Sequence, residues 1–327
     1  MRIQTFLCVL LAAMVLSGAC STNPATGRSQ LNMLSQEHEI RLGDQATTKF
    51  LEQLGGEVPS QIVLDHVRQI GKQLAATSER PELPWEFHVV DSEVINAFAL
   101  PGGKVFISRG LLAKLKNDAQ LAGVLGHEVG HVTAKHINDR MARAMGVQLV
   151  AVGVGVAGST SDEDWLKVLG VGTSVGGTIY LLSFNRNQEF ESDELGVRYM
   201  VQLGYNPYGQ RQVMKVLKRA SRESGGGGGP EWLATHPLPQ SRIDRLTKLI
   251  QQQCPDAKAL SGLRFGRQSF ARQVLSPLKE LPPPKHKAKT ARLAPTPSMN
   301  TSGTACVVCG QSAWLLVKAE DEDSVVQ

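Results

Sequence analysis

Leu121–His136 reads LAGVLGHEVGHVTAKH, and the reading of the whole 327-residue chain is decided there. The stretch is an apolar helical run carrying His127, Glu128 and His131 in the spacing HExxH. Four residues of α-helix turn through about 400°, so the two histidines stand about 40° apart on one face. Both imidazoles can then meet one tetrahedral zinc ion, while Glu128 flanks the metal and can take a proton from water. A catalytic zinc takes three protein ligands and keeps a position open, so a third ligand is expected further along the chain.

That ligand is sought in NQEFESDELG, Asn187–Gly196, on a second predicted helix. Glu189 and Asp193 are four apart and share a face, whereas Glu191 is turned about 200° from Glu189 and points elsewhere. Glu189 is the expected ligand. Asp193 then accepts the free ring N–H of a zinc histidine and fixes its tautomer and orientation. His136 lies nine residues after His127, on the far side of one continuous helix, and is rejected as a ligand. His38, His66 and His88 fall outside ligand spacing and read as surface or packing histidines.

The surrounding pattern predicts a mostly helical α+β fold with a small sheet packed beside the HExxH helix. Helices are expected over Ser35–Leu54 and Ser60–Ala76, then strands at Trp85–Asp91, Asn96–Leu100 and Lys104–Ser108, the last two joined by Pro101-Gly102-Gly103. Asn117–Gln120 has the form of a capping box, and the helix it opens can run to about Met145. Gly146–Gly158 and Val168–Leu182 are apolar and glycine-rich, but each is shorter than the roughly 20 residues a membrane span needs. They read as packed or surface-lying helices covering the active site. Further helices are expected over residues 185–203, 207–224 and in Thr235–Ile250, with Gly225–Gly229 a flexible break.

HEVGH, followed by EFESD, preceded by NAFALPGGKVFISRGLL and trailed by THPLPQSRI, resembles peptidase family M48, the gluzincin metallopeptidases of the HtpX, BepA and LoiP type. The likeness runs from about Asn23 to Ile250. It implies a gluzincin-type fold, one zinc ion per chain held by His127, His131 and Glu189, and Glu128 as the base. It also implies that the strand Val105–Ser108, with Phe106 and Ile107 between, lines the cleft and takes an extended substrate as an added strand. Asn96 and Ala97 would lie along the same rim; for Asn96 a turn residue ending a strand is an equal reading. His236 matches a loop that in BepA-like members can reach the zinc and block the water position, the alternative being a histidine that packs against or caps the last helix. Arg242 reads as a structural ion-pair partner, or alternatively as an oxyanion stabiliser.

The chain begins as an exported one. Residues 1–19 carry Arg2, an apolar core from Phe6 to Leu16 and small residues before Cys20, the form of a secretory leader. LSGAC resembles the lipobox of bacterial lipoproteins, in which Cys20 is lipidated; Ser17 and Ala19 also suit an ordinary signal peptidase. Residues 20–34 are then a tether, 35–254 the zinc metallopeptidase domain, and 255–327 a basic, proline-rich extension that is largely disordered, with the core ending near Leu275. Cys254, Cys306 and Cys309 remain in the mature chain, and a disulfide among them is the simplest account of the CxxC. A net charge of +5, much of it in that extension, does not indicate nucleic-acid binding.

These expectations combine into an exported zinc metalloendopeptidase acting on misfolded or stalled cell-envelope proteins, held by a lipid at the periplasmic face of the outer membrane or soluble in the periplasm. The rival readings are an assembly factor with a mostly shut zinc site and an integral-membrane protease using the two glycine-rich runs.

Overall fold

The computed structural model describes residues 20–23, 25–31, 34–142, 161–169, 183–223, 230–237, 240–254 and 260–287. Cys20–Thr22 (β1) and Ser29–Leu31 (β2) pair antiparallel as a small hairpin where the sequence suggests only a polar tether. Two amphipathic helices follow, α1 (Gln36–Gln53) and α2 (Gln61–Ala76). Ser35 caps α1 by accepting the His38 N–H, and Gly55 and Gly56, both left-handed, end it.

The sheet has three strands, β3 (Glu86–Val90), β4 (Ala97–Leu100) and β5 (Lys104–Ser108), in the order β3-β5-β4. β5 lies in the middle, parallel to β3 and antiparallel to β4. The turn between β4 and β5 uses Gly102 at φ 72°, where a Cβ would come within 2.7 Å of the Ile40 Cα. Glycine there satisfies the left-handed backbone and lets α1 close on the turn. Phe98 stacks on Phe106 at 4.8 Å and meets Phe50 of α1 at 5.3 Å, which seats the sheet on that helix.

A short turn, α3 (Arg109–Leu112), leads to the central helix α4 (Asp118–Thr133), capped by the Asn117 side chain. Every residue of α4 is buried, which explains why its sequence is apolar all round apart from the residues of the motif and the cap. The helix does not continue to Met145. It stops at Ala134, Lys135 takes φ 53°, and residues 136–142 resume as helix. Among the described residues Lys135 is the one non-glycine with positive φ, and a single left-handed residue suffices to redirect the chain.

Beyond α5 (Asp162–Val168) comes α6 (Arg186–Gln202), opened by a reciprocal capping box between Asn185 and Gln188. α6 packs along α4 through a seam of small residues. Gly126 faces Gly196, and a Cβ on Gly130 would stand 2.8 Å from Ser192 Oγ. The absent side chains let the two backbones approach closely enough for side chains of both helices to reach one point. α7 (Tyr208–Glu223), the short α8 (Glu231–Thr235) and α9 (Gln240–Gln253) complete this side.

Residues 260–287, inside the extension expected to be largely disordered, are ordered. Within 260–287, α10 (Arg267–Phe270), a π-helical turn (Ala271–Leu275) and α11 (Ser276–Glu280) run on from one another, and Phe270, Val274 and Leu278 are all buried. Their four-residue spacing is one helical stripe. Arg109, ion-paired with buried Asp91, donates to the carbonyls of Leu278, Leu281 and Pro282, so the core extends past Leu275. Cys306, Cys309 and the glycine-rich runs, save Val168 and Leu169, lie outside the described residues. Among the described residues no helix is long and apolar enough to cross a membrane.

Candidate metal centre

α4 presents His127 and His131 on one face, and α6 brings Glu189 against them across the small-residue seam. His127 Nε2 lies 3.0 Å from His131 Nε2, and Glu189 Oε1 lies 3.4 Å from His131 Nε2. A fourth donor arrives from the C-terminal end of α8: His236 Nδ1 is 2.8 Å from Glu189 Oε1 and 3.3 Å from His127 Nε2. One ligand atom from each of the four residues falls within 4.8 Å of all the others, and all four residues are buried. Three imidazole nitrogens and a carboxylate oxygen converging among buried residues are a donor set that fits a divalent metal ion. Glu128 supports the same reading, because its buried Oε2 has no hydrogen-bond partner among the described residues.

The charges behind this cluster are arranged to keep it ready for metal. Asp193 accepts from His127 Nδ1 at 3.0 Å, which leaves Nε2 of that ring directed at the cluster. Asp193 also receives Arg242 Nε at 2.7 Å and Nη2 at 2.8 Å, together with Gln210 Nε2 at 2.9 Å. Arg242 Nη1 pairs with Glu189 as well. Burial alone would raise the Glu189 carboxyl, but Arg242 and His236 beside it hold it well below the usual carboxylate range. Asp193 follows the same balance, burial being outweighed by Arg242 and His127. Burial pushes the His131 imidazole well below its ordinary value despite the neighbouring Glu189. Charged carboxylates and neutral imidazole are the protonation states that metal ligation requires.

The sequence matches peptidase family M48 over residues 64–250, more than half of the chain. The chain belongs to peptidase family M48. It is 28% identical over 254 residues to the beta-barrel assembly-enhancing protease of Escherichia coli (strain K12), covering 73% of this chain and 51% of that protein. The protein of the same description from Yersinia pestis is 31% identical over 248 residues, covering 73% and 49%. The mitochondrial metalloendopeptidase OMA1 of Schizosaccharomyces pombe is 29% identical over 238 residues, covering 70% and 66%. The chain thus spans about half the length of the beta-barrel assembly-enhancing proteases it matches.

Within this M48 chain the structure brings His127, Glu128, His131, Glu189, Asp193, His236 and Arg242 into one buried cluster. The strand Val105–Ser108 is placed differently from the expectation. β5 is hydrogen-bonded on both edges, and Val105, Phe106 and Ile107 are buried, so no further strand can add to it. The outer edge of β4, beginning at Ala97, has no strand partner among the described residues. Asn96, just before it, donates from Nδ2 to Glu231 Oε2 at 3.4 Å. His38, His66 and His88 are hydrogen-bonded to Asp162, Asp118 and Glu57, away from the cluster. Cys20 pairs with Leu31 in the hairpin, and Cys254 is a buried free thiol.

Two residues at the site, Trp232 and Phe184, have no signal in the motif. Trp232 donates from its indole nitrogen to Glu128 Oε1 at 3.2 Å and stacks on His236 at 4.5 Å. Phe184 lies flat on His131 at 3.7 Å. The one hint in the sequence is that Trp232 precedes His236 by four, the spacing of neighbours on a helix face.

Proposed function

We propose that the chain is a zinc metalloendopeptidase that hydrolyses misfolded or stalled proteins of the cell envelope, anchored through Cys20 at the periplasmic face of the outer membrane. The convergence of His127, His131 and Glu189 beside Glu128 is the observation that carries the catalytic reading. The envelope substrate rests on the leader and on the description of the beta-barrel assembly-enhancing relatives.

His127, His131 and Glu189 would hold one zinc ion, which when bound acidifies a water molecule and polarises the substrate carbonyl. Glu128 takes a proton from the attacking water and returns it to the departing amine nitrogen. Asp193 fixes the His127 tautomer. The Arg242 guanidinium is committed to Glu189 and Asp193, which supports its structural role over an oxyanion role. An extended polypeptide is received on the free edge of β4 by main-chain hydrogen bonds, with Asn96 and Ala97 at its start.

In the described state α8 covers that entrance. Trp232 N donates to Ile95 O at 3.4 Å, Glu231 holds Asn96, and His236 stands among the grouped donors, where it would block a position on the bound metal. This supports a resting shut site. His236→Ala should therefore cleave casein several-fold faster than wild type; unchanged or slower cleavage speaks against the shutter. For the metal, chelation of the full chain should abolish casein cleavage and one equivalent of zinc should restore it. A chain that purifies without transition metal, or cleaves equally well after chelation, overturns the assignment.

A further inference from the structure

The two candidate ligand histidines are backed differently. His127 donates straight to a carboxylate, whereas His131 Nδ1 lies 3.0 Å from Nδ1 of His136, whose Nε2 lies 2.9 Å from Glu191 Oε2. His131 directs Nε2 at the cluster, so its Nδ1 carries the hydrogen and donates to His136. That fixes His136 as the tautomer with hydrogen on Nε2, and Nε2–H donates to Glu191. The hydrogen bonds run in one direction and end on a charge.

His136 reaches this position only because the chain breaks at Lys135, whose φ of 53° costs about 1–3 kcal/mol in a non-glycine residue. On an unbroken helix it would face away from His131. The N-terminal hairpin holds the break from outside. Asn23, buried and far away in sequence, donates from Nδ2 to the Ala134 carbonyl at 2.5 Å, one of the carbonyls left without a partner at the end of α4. Arg28 of the same hairpin ion-pairs with Glu191.

We infer that His136 and Glu191 are positioning residues for the metal ligand His131, and that the hairpin after Cys20, through Asn23 and Arg28, is the brace that holds them. The segment nearest the anchor point is thereby part of the metal centre's support rather than a passive tether. This rests on the metal reading above.

The test measures zinc affinity of the full chain by competition with a chromophoric chelator, alongside the visible spectrum of the cobalt-substituted protein. His136→Phe keeps a ring and removes both nitrogens; it should weaken zinc binding about 10–100-fold, the usual cost of losing a partner behind a metal histidine, and alter the cobalt bands. His136→Gln, whose side-chain carbonyl can still accept from His131, should recover much of the loss. Glu191→Gln and the exposed-end variant Arg28→Ala should each weaken binding by less than His136→Phe, in that order, without loss of helical content. Wild-type affinity and an unchanged cobalt spectrum in both His136→Phe and Glu191→Gln overturn the relay while leaving the metal reading intact. A wild-type chain that binds neither zinc nor cobalt overturns both.

Discussion

Glu128→Gln should lose about 10²–10⁴-fold in peptide-bond hydrolysis while keeping its full complement of metal, the range set by removal of a general base. Glutamine has the shape of glutamate, and its amide oxygen can still accept the Trp232 indole N–H that Glu128 Oε1 accepts at 3.2 Å. Nothing in the ligand set changes, because the grouped donors belong to His127, His131, Glu189 and His236. What disappears is a carboxylate able to hold a proton between water and the leaving amine. Casein cleavage and metal content measured on the same preparation separate the two effects. Wild-type cleavage by this variant would remove Glu128 from the chemistry; loss of metal along with activity would move it into the ligand set.

How much of this was legible in the sequence depends on how local each feature is. Helical spacing alone places His127 with His131 and Glu189 with Asp193, because residues four apart share a face whatever surrounds them. The three strands were legible for the same reason, yet their order was not. The Pro101-Gly102-Gly103 turn marks β5 off as a strand and says nothing about its being flanked on both sides, so the strand expected to receive substrate is central. His136 stays outside the grouped donors, as the sequence predicts, but its place behind His131 depends on one dihedral, at Lys135, in a residue type that gives no warning of it. The stripe of Phe270, Val274 and Leu278 was hidden by the proline-rich, basic composition that follows it. Arg109, which donates to the Leu278 carbonyl, and Asp91, which accepts from the Lys285 N–H, are distant in sequence and tie that segment down.

Glu189→Ala should leave the chain folded but unable to hold zinc, and the reason lies in two layers of charge. In the proposed catalytic set the carboxylate is one of three protein ligands, and it is also the partner of buried Arg242. Removing one member of a buried ion pair costs about 3–5 kcal/mol when the other is left alone. Here the cost falls below that range, because Asp193 still accepts from Arg242 Nε and Nη2 at 2.7 and 2.8 Å. Thermal unfolding with and without zinc isolates the ligand role from this structural one. At zinc concentrations 100-fold above its dissociation constant the wild-type chain gains about 2.7 kcal/mol by mass action. The variant should gain nothing under the same conditions, and should unfold at a lower temperature than metal-free wild type. Retention of zinc by Glu189→Ala would mean that the two histidines and His236 suffice, and that Glu189 serves Arg242 instead of the metal.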